Sequence, residues 1–265
     1  MSLSVRIMGC GSSGGVPRVG QGWGSCDPAN PKNRRRRCSI LLERTGDDGA
    51  KTVVLVDTGP DLREQLLDAE IDRLDSILLT HSHADHTHGI DDVRPLVIRM
   101  HRLIDLHMDE PTSQIVREKF AYVFETPPGS SYPPLLLERR LTPGDAVRLA
   151  GPGGEIEALP FRLEHGEIDA LGFRVGDMAY TPDVNAIPAE SIGALENLDL
   201  WIVDALRYTR HPSHFSLPET LDWIVRLKPR RAILTNLHTD LDYETLRREL
   251  PPHVEPAFDG MIVTL

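Results

Sequence analysis

The chain has little that would staple it from outside or anchor it elsewhere. Its three cysteines, Cys10, Cys26 and Cys38, are too few and too scattered for a disulfide framework, and no C-x-x-C pattern occurs. That excludes a zinc finger and a stapled extracellular scaffold and suits a reducing cytoplasm. No apolar run is long enough to span a bilayer, and Ser2–Gly9 lacks the charged and apolar regions of a signal peptide. Basic residues are in deficit: 29 Lys and Arg against 40 Asp and Glu leave a formal charge of −11. Such a charge disfavours a general nucleic-acid binder. What remains is an ordinary globular composition, 40% hydrophobic and 26% charged over 265 residues, long enough to bury a core. With no clean linker and no repeat, residues 1–265 read as one domain.

Against that background one stretch stands out. Thr80–Gly89 reads THSHADHTHG and follows Ser76–Leu79, a short apolar run with the look of a buried strand. A strand that ends in His81, His83, Asp85 and His86 delivers ligands to one point. Imidazole and carboxylate together suit zinc, manganese or iron.

The rest of the chain alternates in the same way. Ser4–Met8 is an opening strand that runs into Gly9–Pro17, a glycine-rich loop. That loop is either a backbone cradle for an anion, with Ser13 at its centre, or a tight connection beside the metal site. Arg34–Arg37 is four arginines in a row before the strand Cys38–Glu43. It is a solvated edge, or Arg34 and Arg37 reach a substrate phosphate. Thr52–Val56 is a buried strand ending at Asp57, and Pro60–Glu70 is helical. Ile90–Leu106 has helical spacing, and residues 101–134 read as an insertion flanking the site. Short strands follow at Leu135–Arg139, Ala146–Leu149, Ile156–Leu163, Phe173–Val175, Met178–Thr181 and Leu200–Val203. Ser216–Glu219 is a capping box that opens a helix to about Leu227. Arg231–Leu234 is a strand, Asp242 caps a helix over Tyr243–Glu249, and Ile262–Leu265 closes the chain. Strands alternating with helices, with polar residues at strand ends, indicate an α/β fold whose site lies along those ends.

The ligand-type residues just past strands are His81, His83, Asp85, His86, His165, Asp183 and His238. Five histidines and two carboxylates suit two divalent metals. His81, His83 and His165 would hold one, Asp85, His86 and His238 the other, and Asp183 would bridge them. Each metal keeps an open position. Asp57 is placed to orient a ligating imidazole.

THSHADH resembles the signature of the metallo-β-lactamase superfamily, and Asp57, His165, Asp183 and His238 resemble its remaining motifs in order. The resemblance covers essentially the whole chain and implies a four-layer αββα sandwich. Within the superfamily, GCGSSGGVPR, NRRRRCS and FDGM (Phe258–Met261) resemble the PhnP-like phosphodiesterases, which include an enzyme acting on a cyclic ribose phosphate. That enzyme's additional structural zinc, held by cysteines, is not expected here, because only Cys26 remains of the cluster. The resemblance implies hydrolysis of a small cyclic phosphate or nucleotide-like phosphodiester by a hydroxide bridging two metals, zinc or manganese or iron. His214 is the expected proton donor to the leaving group, oriented by Asp204, with Asp85 beside them at the reacting centre. Two other readings remain: an endoribonuclease of the tRNA-processing kind, or a non-catalytic metal-dependent carrier like the PQQ-biosynthesis B protein. The expected partner is a small substrate rather than nucleic acid or membrane, and a homodimer is the default assembly.

Overall fold

Apolar residues alternate along the central strands, and both of their faces are buried. In β3 (Lys51–Val56), Val54 and Val56 pack inward with Val5, Ile40, Phe173 and Ile202, while Val53 and Leu55 pack outward with Leu62, Leu96 and Val116. A strand apolar on both faces belongs in the middle layers of a stack. The computed structural model, which describes residues 2–265, contains two seven-stranded sheets.

The first sheet has the order β14 (Ile262–Thr264), β1 (Ser2–Gly9), β2 (Ser39–Thr45), β3, β4 (Ser76–Leu78), β5 (Ile104–Met108) and β6 (Leu136–Arg140). The second has the order β13 (Val254–Pro256), β12 (Arg231–Thr235), β11 (Leu200–Asp204), β10 (Met178–Thr181), β9 (Ile168–Val175), β8 (Ile156–His165) and β7 (Val147–Leu149). One core joins the inner faces of the sheets. A second lies under α1 (Leu62–Asp68), α3 (Arg94–Met100) and α4 (Glu110–Phe120), while α2 (Ala84–Thr87) is the single turn that carries Asp85 and His86. The third packs Ala179, Trp201, Val203 and Leu234 under α5 (Leu217–Leu227) and α6 (Tyr243–Glu249). The layers are therefore αββα, as expected.

β3 to β6 run parallel, as do β10 to β13. Parallel strands share their carboxyl ends, so the loops after β3, β4, β10, β11 and β12 gather along one edge of the sandwich. Helix boundaries follow local chemistry. Ser216 and Glu219 form the capping box that opens α5, and the Asp242 side chain accepts from Thr245 N at 2.9 Å to open α6.

Two expectations need correction. Ile90–Leu106 is not one helix: a short 3-10 turn (Ile90–Val93) leads into α3, His101 ends it in a left-handed conformation (φ 53°), and β5 follows. Residues 101–134 are accordingly not a peripheral insertion, because β5 is an interior strand between β4 and β6. Ile104, Leu106 and Met108 are fully buried at a two-residue spacing that the helical reading of the preceding run absorbed. The short edge strand β13 was not anticipated. Among the described residues no helix is long and apolar enough to cross a membrane.

Candidate metal centre

Three histidines of the cluster, His81, His86 and His165, have the outward ring nitrogen occupied by a neighbour, and this fixes where the other nitrogen points. His86 Nδ1 donates to Asp57 Oδ2 at 2.7 Å. His165 Nδ1 donates to the Ser213 carbonyl at 2.7 Å. Thr80 Oγ1 spends its proton on Asp57, so at 3.0 Å it accepts from His81 Nδ1. In the neutral tautomers so fixed the three Nε2 atoms carry the lone pairs, and they converge. His83 Nδ1 lies 3.0 Å from His81 Nε2 and 3.2 Å from His165 Nε2. His86 Nε2 points between two carboxylates, 3.3 Å from Asp183 Oδ1 and 3.4 Å from Asp85 Oδ2.

Asp183 faces both halves: Oδ1 meets His86, and Oδ2 lies 3.5 Å from His165 and 3.8 Å from His81. One carboxylate oxygen toward each group of imidazoles is the disposition a bridging ligand requires. Facing lone pairs at these distances repel unless a proton or a cation lies between them. The donor set of imidazole and carboxylate, with His81, His86, His165 and Asp183 buried, fits divalent metal.

The charges follow the geometry. Burial, then the neighbouring His86, hold His81 well below the ordinary histidine range. Burial also lowers His83 and His165. Burial would lower His86 too, but Asp183, Asp57 and Asp85 outweigh it and hold that imidazole well above its usual value. Asp183, which burial alone would raise, is held well below the carboxylate range by His86 and His214.

Two strand-end residues adopt left-handed backbone: Asp57 after β3 (φ 68°) and Asn236 after β12 (φ 62°). This conformation costs a non-glycine residue roughly 1 kcal/mol, with Asp and Asn tolerating it best. Asp57 so placed supports the loop of the histidine motif through Thr80 N (2.8 Å) and orients His86. Asn236 Nδ2 lies 3.1 Å from Asp183 Oδ1 and 3.1 Å from His214 Nδ1.

His238 is not brought into the cluster. Its Nε2 meets Arg18 Nη1 at 2.5 Å, and its Nδ1 faces Thr239 Oγ1 (3.2 Å) and Asp240 Oδ1 (3.4 Å). The reason is the strand end. β12 delivers Asn236, not His238, toward Asp183, and His238 two residues on turns toward the Gly9–Pro17 loop. Burial, then Arg18, lower the His238 imidazole. His214 is instead close to the cluster, its ring 4.7 Å from that of His165 and its Nε2 4.0 Å from Asp183 Oδ2. Its Nδ1 donates to Asp204 Oδ2 at 2.8 Å. Burial opposes protonation of His214, but Asp204 and Asp183 prevail and raise it to about 9.

Ser13, Arg18, Arg37 and Asp85 line a cavity of about 380 Å³ next to the metal ligands. The four consecutive arginines separate sharply. Arg34 is exposed, Arg36 pairs with Asp68 at 2.6 Å, and Arg37 lies 3.0 Å from Asp61. Arg35 is almost wholly buried and donates to the carbonyls of Leu241 (2.7 Å) and His238 (3.3 Å) and to Asn33 Oδ1 (3.2 Å). Of the arginines expected at substrate, then, Arg37 lines the cavity and Arg34 does not. Asn236, Arg18 and Arg35 were not singled out from sequence. A Thr-Asn pair closing a strand was the available signal for Asn236; nothing local marks the other two.

A family model described as "Beta-lactamase superfamily domain" matches residues 52–236. A curated relative from Porphyromonas gingivalis named octanoyltransferase is 35% identical over 260 residues, 96% of this chain and 50% of its own length. A ribonuclease Z from Bradyrhizobium sp. is 31% identical over 149 residues, 54% of this chain and 45% of its own. The chain spans about half the length of the curated relatives it matches. Among solved structures, a diphosphatase from the PhnP family superposes with a TM-score of 0.88 at 33% identity, covering 100% of this chain and 98% of that one. Zinc-bound PqqB from Methylobacterium extorquens shares the fold at 15% identity and a TM-score of 0.74, covering 99% and 100%. The chain belongs to the metallo-β-lactamase superfamily of hydrolases, in its PhnP-like branch.

Proposed function

We propose that the protein is a metal-dependent phosphodiesterase acting on a small cyclic or nucleotide-like phosphodiester. The observation that carries this reading is a metal-type donor cluster that reaches His214 at its edge, where His214 is hydrogen-bonded to Asp204. Two divalent ions, zinc or manganese, held by His81, His83, His165, His86, Asp85 and Asp183, would lower the pKa of a water and offset charge on the phosphoryl oxygens. His81, His86 and His165 are held in one tautomer by Thr80, Asp57 and Ser213, so the site is preorganised. As the phosphorus–oxygen bond to the leaving group breaks, that oxygen takes the proton from His214 Nε2, and Asp204 stabilises the imidazolium beforehand. The PhnP-family diphosphatase, 33% identical over nearly its whole length, supports a phosphate substrate. The three free, buried cysteines suit a reducing compartment such as the cytoplasm.

The test is hydrolysis of bis-p-nitrophenyl phosphate by protein fully loaded with Mn²⁺ or Zn²⁺. Turnover with either metal is expected, and no turnover with both overturns the reading. Cleavage of a precursor tRNA with steeply salt-dependent binding would move the substrate to RNA, in line with the partial ribonuclease Z likeness.

A further inference from the structure

Arg18 is a cation without a counter-ion. It is half-buried in an acidic protein, yet among the described residues no carboxylate lies within ion-pairing distance of its guanidinium. Neighbouring Arg37, by contrast, is neutralised by Asp61. The hydrogen-bond partner of Arg18 is the Nε2 of His238. A guanidinium is only ever a donor, so His238 must be neutral there, with its lone pair on Nε2 and its proton on Nδ1 toward Thr239 and Asp240. A neutral partner fixes the direction of the guanidinium without cancelling its charge.

The surroundings are built to hold this arrangement. The Arg18 guanidinium packs against Gly14, where a Cβ would come within 2.3 Å of Nε and 2.9 Å of Cζ, so a side chain there would push the guanidinium from its present place. His238 in turn sits on a loop pinned from below by buried Arg35, which grips the carbonyls of His238 and Leu241. Arg18 opens onto the same cavity as Ser13, Arg37, His88 and Asp85. One wall of that cavity is therefore a metal-type carboxylate and another is an uncompensated guanidinium, a fork matched to phosphate oxygens.

We propose that Arg18 binds a second, non-reacting phosphate of the substrate and that His238 is its positioning residue rather than a metal ligand. The substrate class is then a diphosphate-bearing ester rather than a simple one-phosphate diester, in line with the diphosphatase named among the PhnP-family neighbours, and Arg18 and His238 are the residues that would select it. This rests on the phosphodiesterase reading of the adjacent centre. His238 cannot serve both roles, because the lone pair that would face a metal is the one that accepts from Arg18.

The experiment uses metal-loaded protein with two substrates, bis-p-nitrophenyl phosphate and diadenosine diphosphate, and titration calorimetry with ADP. Arg18→Met is expected to raise the KM for diadenosine diphosphate and weaken ADP binding at least tenfold. Its kcat/KM ratio between the two-phosphate and one-phosphate substrates should also drop at least tenfold. His238→Leu should reproduce that change of ratio while retaining the wild-type metal content by elemental analysis, and His238→Gln, which keeps an acceptor, should recover part of it. Equal losses on both substrates, or no loss of ADP affinity, overturn the assignment of Arg18. A fall of about one ion per chain in His238→Leu overturns the positioning role and makes His238 a ligand. If the wild type turns over neither substrate, the phosphodiesterase reading fails, while ADP titration of wild type against Arg18→Met still decides the anion site.

Discussion

The proposed metal side and the proposed substrate side of this centre are built in opposite ways. On the metal side, four of the candidate ligands come from the single segment Thr80–Gly89, and the imidazoles of His86, His81 and His165 are each steered by one neighbouring atom, of Asp57, Thr80 or Ser213. On the substrate side, three distant segments meet, the loop carrying Ser13 and Arg18, the arginine run, and the turn after β12. There a buried cation, Arg35, supports the turn that the exposed cavity residues depend on. The comparison teaches that a local motif can state its chemistry in ten residues. A wall assembled from remote loops shows its chemistry only once packed.

The predictions probe that contrast, beginning with the largest effect. His214→Ala should lower kcat on bis-p-nitrophenyl phosphate by about 10²–10⁴-fold, the usual worth of a general acid, with metal content retained. A variant that loses an ion would instead place His214 on the metal side.

Within the arginine run, Arg35→Met should cost about 4 kcal/mol in urea unfolding, because it leaves the carbonyls of Leu241 and His238 and the Asn33 side chain without their donor. Arg34→Met, at an exposed position, should stay within about 0.5 kcal/mol. Equal effects of the two would erase the distinction drawn between them.

Asp259 supports the same wall by accepting from Cys10 N (3.2 Å) and Arg36 N (2.8 Å), and burial raises its carboxyl to about 6. A carboxyl with a raised folded pKa binds its proton more tightly in the native state. Its contribution to stability is full below the unfolded value and is lost as pH rises through about 6. Wild-type stability should therefore fall by at most about 3 kcal/mol between pH 4 and pH 7 from this group. Asp259→Asn, less stable at pH 4 for want of one acceptor, should close part of that gap by pH 7. A gap constant with pH would remove the titration of Asp259 from the account.

The smallest effect belongs to the support of the metal side. Asp57→Asn keeps the shape but weakens the acceptor for His86, and metal affinity should drop about 10–100-fold as measured by competition with a chelator. Unchanged affinity would show that the loop, and not the carboxylate, orients that imidazole.

Much of the fold could be read in the sequence because strand and helix periods are local. The β-branched run Thr52–Val56 and the capping box at Ser216 stated their structures within a few residues. β5 was misread because its apolar residues continue a helical spacing, and only the left-handed turn at His101 breaks that run. His238 was assigned to the metals because it was the only histidine of its loop. The residue that meets Asp183 is Asn236, which sequence alone does not distinguish from a turn-former.

The chain by itself determined the α/β alternation and the metal-type character of His81, His83, Asp85 and His86, since both follow from the spacing of neighbouring residues, while the αββα layering was implied by the resemblance of the THSHADH motif. Tertiary structure alone decided which arginine is buried, which faces the cavity, and where His238 points. Those outcomes depend on which remote loops come to share a strand edge, and on whether a buried carbonyl or carboxylate is there to meet a side chain when it arrives.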